Sequence, residues 1–147
     1  MLATLIPDVG PRVSIALVII RVAAGLGFMM HGNPKLAHPM SWDDTFTPLM
    51  GIPHILQLIV TIAENFGGLM LIFGFLTPLW TCIYICDMLV VICIVKAPSG
   101  LPYVGAGGKS WEIEGHLLMA SIVLLITGPG RYSVDAALVA WRKRSTA

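Results

Sequence analysis

Charge is scarce in this chain of 147 residues: Lys, Arg, Asp and Glu together make 12 %, about half the roughly 25 % of an average soluble protein. A water-soluble globule is excluded on that ground. Runs of like charge are also missing, and the net charge is only +1, so no basic field exists to hold nucleic acid. Cysteine is confined to Cys82, Cys86 and Cys93 in a single apolar run. An extracellular disulfide framework, which draws on cysteines spread along the chain, is therefore excluded as well. No phosphate loop, dinucleotide fingerprint, nucleophile elbow, zincin motif or Cys-x-x-Cys-His haem attachment occurs. Disorder, coiled coil and collagen each need a polar or strictly periodic composition that this chain lacks.

What is present is apolar: 56 % hydrophobic residues and a mean hydropathy of +0.85. The bilayer is the solvent such a composition fits, and one helical crossing needs about 20 mostly apolar residues. Four such runs, near 12–32, 54–76, 78–96 and 111–128, are separated by Pro/Gly-rich breaks. They predict an all-α, integral membrane four-helix bundle forming one domain over 1–147. Arg21 interrupts the first run and Asp8 precedes it, so it reads as a retained helix rather than a cleaved signal. Leu76-Thr77-Pro78 joins runs two and three in a tight antiparallel hairpin. Past Gly128-Pro129-Gly130, Ser133 can cap a short interfacial helix ending at Trp141-Arg142-Lys143-Arg144.

Four crossings put both termini on one side, with Arg12, Arg131, Arg142, Lys143 and Arg144. The opposite loops hold Lys35, Lys96 and Lys109. The positive-inside bias places the termini in the cytoplasm. Loop 33–53, with Trp42, Phe46 and Asp43-Asp44, then lies at the outer headgroups, and the glycine-rich loop 97–110 is a mobile outer connection. Helices in lipid associate through close backbone approach, for which Gly25 and Gly32 on the first run and Ala63, Gly67 and Gly74 on the second are suited.

The membrane makes charges expensive, about 2.5–3.5 kcal/mol each on insertion scales. Arg21, Glu64 and Asp87 each lie about 14–15 Å into their runs at 1.5 Å per residue, which predicts that they face inward and meet as one cluster. One cation cannot compensate two carboxylates there, so one acid is expected to be protonated and able to relay protons. The same cluster would also serve simply to fix helix register. Nearer the outer surface, Arg21, Gly25, Phe28, Gly32 and Lys35 form one stripe, with His31 beside it. Glu112 and His116, four apart, share a face of the last run. His31, Lys35, Glu112 and His116 therefore form a candidate outward pocket, with the donors and acceptors a quinone head group needs. On spacing alone the plainer reading, in which His31 and Lys35 snorkel to headgroups and Glu112 marks a helix end, is the stronger. A b-type haem between His31 and His116 is the weaker option. Cys82, Cys86 and Cys93 share one face and read as packing residues rather than metal ligands, so no metal site is expected.

Three stretches carry a family resemblance: Arg21 to Leu36 (Arg-x3-Gly-x2-Phe-x2-His-Gly-x2-Lys-Leu), Glu64 with Gly67-Gly68 and Leu-Ile-Phe-Gly-Phe-Leu-Thr-Pro, and Gly128-Pro129-Gly130-Arg131-Tyr132-Ser133-Val134-Asp135. Together they resemble DoxX-type membrane proteins over nearly the whole chain. The resemblance implies a four-helix protein of the prokaryotic cytoplasmic membrane that works within a larger assembly. Its DoxD-type relatives are subunits of thiosulfate:quinone oxidoreductase, which implies a quinone-linked membrane subunit. Arg21, His31, Lys35, Glu64 and Arg131 occupy motif positions. Pro34, between Asn33 and Lys35, departs from the pattern, and Asp87 falls outside it. The expected function is the membrane subunit of a redox, electron-transfer complex with quinone bound near the outer face. The alternatives are an accessory subunit stabilising a respiratory or photosynthetic complex, and a small-solute or proton pathway. The expected partners are the lipid bilayer and other subunits of a membrane complex.

Overall fold

The structure, a computed structural model, describes residues 9–43 and 51–145; Asp8, Asp44 and Phe46 of the sequence argument lie outside them. All regular structure among the described residues is helical. Helix α1 (Pro11–Gly32) starts on a proline, whose missing N–H is no loss at a helix N-terminus. It tightens into a 3-10 turn over Asn33–Ala37, so Pro34 tightens the run without ending it. Helix α2 (His54–Phe73) and helix α3 (Thr77–Lys96) complete the set of three helices long and apolar enough to cross a bilayer. Helix α4 (Glu112–Thr127) has 16 residues, about 24 Å at 1.5 Å each, short of a hydrocarbon core of about 30 Å. Helix α5 (Val134–Ser145) follows a glycine-rich break, with Ser133 Oγ accepting the Ala136 N–H at 3.1 Å as an N-cap.

The fold is polar inside and apolar outside. Among the described residues the buried polar side chains, from Ser14 and Arg21 to Ser121 and Asp135, outnumber the buried apolar ones, while Ile19, Met30, Phe73, Ile94 and Ile126 stand exposed. That inversion suits a lipid surround. Buried hydroxyls are satisfied within their own helices: Thr61 Oγ1 donates to Gln57 O at 2.8 Å, Thr81 to Thr77 O at 2.9 Å and Ser121 to Leu117 O at 2.8 Å.

Helices α1 and α2 touch backbone to backbone. A Cβ on Gly25 would come within 2.6 Å of Gly68 O, and one on Gly68 within 2.8 Å of Gly25 O. The contact on α2 is thus Gly68; Gly67, expected there from the sequence, faces Trp80 and Tyr84 of α3 instead. Helix α4 packs on α3 and α1, and Phe28 stacks on Tyr84 with centroids 3.6 Å apart in the core.

The hairpin between α2 and α3 is the tight one expected. Gly74 adopts φ 67° and closes α2 with its N–H on Leu71 O, while Phe75 N–H reaches Met70 O. Leu76 also sits left-handed, at φ 52°, a conformation that costs a side-chain-bearing residue about 1–2 kcal/mol. Asp135 compensates: its Oδ1 accepts the Leu76 N–H at 2.8 Å, its Oδ2 accepts the Thr77 N–H at 2.9 Å, and its own N–H donates to Gly74 O at 3.0 Å. One carboxylate from the start of α5 thereby caps α3 and fixes the turn.

Asp135→Ala leaves the buried Thr77 N–H unmatched, at about 1–3 kcal/mol, together with the half-buried Leu76 N–H, and lowers the thermal midpoint in detergent clearly. Gly10→Ala, where nothing lies within 4 Å of the added Cβ, leaves the midpoint unchanged in the same scan.

Candidate functional site

The stripe Arg21, Gly25, Phe28 and Gly32 is buried along α1 as its spacing predicted. Its outer end carries the chemistry. Gly32 exists because a Cβ there would lie 2.6 Å from the Glu64 Cβ and from Asn65 Nδ2; glycine after His31 lets α1 lie against Glu64. On α2, Glu64 falls in a π turn over Ala63–Gly67. The wider turn frees backbone carbonyls, and Tyr84 Oη donates to Ala63 O at 2.8 Å.

Glu64 is fully buried. Lys35 Nζ donates to its Oε2 at 2.6 Å, and His31 Nε2 lies 4.0 Å from Oε1. The Asp87 carboxyl of α3 lies near enough to Glu64 for the two groups to act on each other electrostatically. Oε1 meets no hydrogen-bond donor among the described residues. Lys35 Nζ also stands 4.6 Å over the Trp42 ring. That ring is fixed in turn, with Trp42 Nε1 donating to Gln57 O at 3.0 Å and Gln57 Oε1 accepting the Asp43 N–H at 3.1 Å. A second pair lies beside the first: Lys96 Nζ, at the end of a π turn over Val91–Lys96, is 3.2 Å from Glu114 Oε1 and donates to Ser110 O at 3.0 Å.

These groups border a cavity of about 940 Å³. His31, Lys35, Asp87, Lys96 and Glu114 give it a charged end. Leu56 and Val60 of α2 and Ile83, Val90 and Ile94 of α3 form apolar walls, and Trp42, Ile52 and Pro53 close one side. Leu56, Val90 and Ile94 are also partly exposed on the outer apolar surface, so the cavity opens where acyl chains would run.

The grouping expected from the sequence divides in two. Glu64 and Asp87 come together; Arg21 does not join them. Its Nη2 donates to Tyr132 O at 2.5 Å, and Asp135 is the carboxylate whose field it feels. Antiparallel contact through Gly25 and Gly68 sets Arg21 beside Gly74, ten residues and about 15 Å along α2 from Glu64 at 1.5 Å per residue. Counting from helix ends could not give that register.

Of the expected pocket, His31 and Lys35 line the cavity, and Glu112 and His116 do not. His116 is exposed, its Nδ1 2.7 Å from Glu112 O, and Tyr103 stands nearby, 6.2 Å between ring centroids. The face of α4 that turns inward carries Glu114, Leu117, Ser121 and Leu124. Their spacing of three, four and three, with a serine among the leucines, was the available signal for Glu114. Lys96 had no such signal, because its position depends on the π turn. Cys82 and Cys86 line the cavity wall as free thiols. Among the described residues no three His, Cys, Asp or Glu side chains are grouped to hold a metal ion. Arg131 donates its backbone N–H to Ser14 Oγ at 3.3 Å, tying the chain after α4 to the start of α1.

The model of the DoxX family matches residues 16–97, more than half of the chain and the part that holds His31, Lys35, Glu64 and Asp87. A Bacillus subtilis (strain 168) protein named "Putative oxidoreductase CatD" is 26 % identical over 121 residues, which cover 82 % of this chain and 85 % of that one. No solved structure matches the chain.

Lys35→Met strands the buried Glu64 carboxylate, and breaking such a pair costs about 3–5 kcal/mol. Lys35→Met with Glu64→Gln recovers at least half of that loss. Thermal unfolding of the two variants in detergent measures both values.

Proposed function

The chain belongs to the DoxX family, and from that premise we propose that it is the membrane subunit of a redox complex that holds a quinone in the cavity between α2 and α3. The carrying observation is the cavity's composition: a slot open to the apolar surface that ends in His31, Lys35, Asp87, Lys96 and Glu114. A quinone has that same division, an isoprenoid tail and a ring with two carbonyl acceptors. The tail lies along Leu56, Val60, Val90 and Ile94, and the ring reaches His31 and the ammonium of Lys35, which has three donors and spends one on Glu64. The oxidoreductase name of the Bacillus subtilis relative is consistent with this reading. The redox couple is the quinone's own, and electrons come from a metal or flavin centre of a partner subunit.

In this reading α4 crosses the bilayer with the three longer helices to make a four-helix bundle. Tilt of its neighbours or local thinning meets its shorter length. Helix α5 lies on the cytoplasmic surface, with Trp141 and the cations that follow it at the headgroups. Both termini are cytoplasmic, and the cavity faces the outer leaflet of a prokaryotic cytoplasmic membrane.

Gentle purification followed by mass spectrometry of extracted lipids and of co-purifying chains tests the proposal. It predicts close to one quinone per chain, lost at least tenfold in Val90→Trp, which fills the slot, with partner chains retained. A large partner without quinone would make the chain an accessory subunit. A monodisperse protein with neither would favour a solute or proton pathway, and either result overturns the quinone reading.

A further inference from the structure

Independently of the quinone reading, we propose that the same cavity binds a lipophilic organic monocation on the Asp87 carboxylate, as a second class of ligand. Asp87 is a residue that a quinone leaves without a role. A quinone carbonyl and an ionised carboxylate both only accept hydrogen bonds, so the ring offers Asp87 no donor.

Asp87 lines the cavity from within an apolar wall. On α3 the lining residues Ile83, Asp87, Val90 and Ile94 recur at steps of four, three and four, which sets one carboxylate on a helix face among apolar side chains. Leu56 and Val60 of α2 line the same space. An ionised carboxylate in such a wall is expensive unless a cation or a proton meets it.

The cations around the cavity are engaged elsewhere. Lys35, just past α1, has its Nζ 2.6 Å from Glu64 Oε2 of α2 and acts on Asp87 only through its field. Lys96 of α3 pairs with Glu114 of α4 and donates to Ser110 O; it stands nine residues from Asp87, about 13 Å along the helix. His31 of α1 faces Glu64 Oε1 at 4.0 Å, and Tyr84 of α3 donates its hydroxyl to Ala63 O. Arg21 is bonded to Tyr132 O at the hairpin end. None of these pairs includes Asp87.

The charge count follows. Lys35 is matched by Glu64 and Lys96 by Glu114, so an ionised Asp87 leaves the cavity with one negative charge. A ligand of charge +1 neutralises it, in place of the proton that the carboxyl holds when the cavity is empty. The walls and a volume of about 940 Å³, within the roughly 300–1,000 Å³ of small-molecule sites, call for that charge to sit on a bulky apolar body. Leu56, Val90 and Ile94 reach the outer apolar surface, which gives a ligand dissolved in lipid a way in.

Equilibrium dialysis of the detergent-solubilised chain against radiolabelled tetraphenylphosphonium in mildly alkaline buffer, with empty micelles as the blank, tests the proposal. It predicts close to one cation per chain, and an affinity at least tenfold lower in Asp87→Asn and in Val90→Trp. Asp87→Glu, which keeps the charge, binds within threefold of the wild type. Tetraphenylborate, of the same shape and opposite charge, does not bind above the blank. In the wild type a hydrophobic carbodiimide labels Asp87, and saturating tetraphenylphosphonium suppresses that label at least fivefold, a readout that depends on no variant folding. Tetraphenylphosphonium uptake no greater than the blank, equal uptake by the wild type and Asp87→Asn, equal uptake of tetraphenylborate, or carbodiimide labelling of Asp87 unaffected by the cation overturns the proposal. Each of these leaves the quinone site standing.

Discussion

The structure turns on one carboxylate that has no water to solvate it. Glu64 is buried in a helix read as crossing a membrane, where an unmatched charge is among the most expensive things a chain can carry. Much of the local architecture answers that expense. Lys35 comes from a 3-10 turn just past α1, Gly32 removes the side chain that would block approach, and a π turn aims Glu64 at both. Trp42 backs the ammonium, and Gln57 pins Trp42 through its backbone oxygen. Such a buried pair is weak evidence of stability, because well-packed apolar residues of similar volume often do as well in its place.

Two polar centres divide the labour along the molecule. At the hairpin end, Asp135, Arg21 and the carbonyl of Tyr132 tie the start of α5 to α1 and to the α2–α3 turn, with two left-handed residues held in place by hydrogen bonds. At the other end α2 and α3 both line the cavity, with Lys35 and Asp87 on it and Glu64 held by Lys35. A fixed turn at one end and a cavity at the other leave His31, Glu64 and Asp87 set on helices rather than on loops.

Much of this was legible in the sequence. Hydropathy gave the helices, Pro and Gly gave their ends, and the three- and four-residue steps from Arg21 to Gly32 gave the inner face of α1. The inward turn of Glu64 followed from the price of charge in lipid. What failed was pairing between helices. Arg21 was matched to Glu64 by depth, but register is set where Gly25 meets Gly68, and the arginine's real partner is a backbone carbonyl 111 residues away. Glu112 is drawn to the expected pocket by the face it shares with His116. The buried stripe through Leu117 and Ser121 runs instead through Glu114. Lys96 depended on a π turn, which no side-chain periodicity announces.

The central claim is that the charged cluster forms the head-group end of a slot reached from the bilayer. Photoaffinity labelling with an azido-quinone, mapped by mass spectrometry of the digested chain, measures this most directly. The account predicts label on cavity residues such as His31, Trp42, Cys86 and Val91, removed by excess unlabelled quinone. Label spread over outward-facing residues such as Ile19, Ile122 and Ile126, and not displaced by excess quinone, would contradict it.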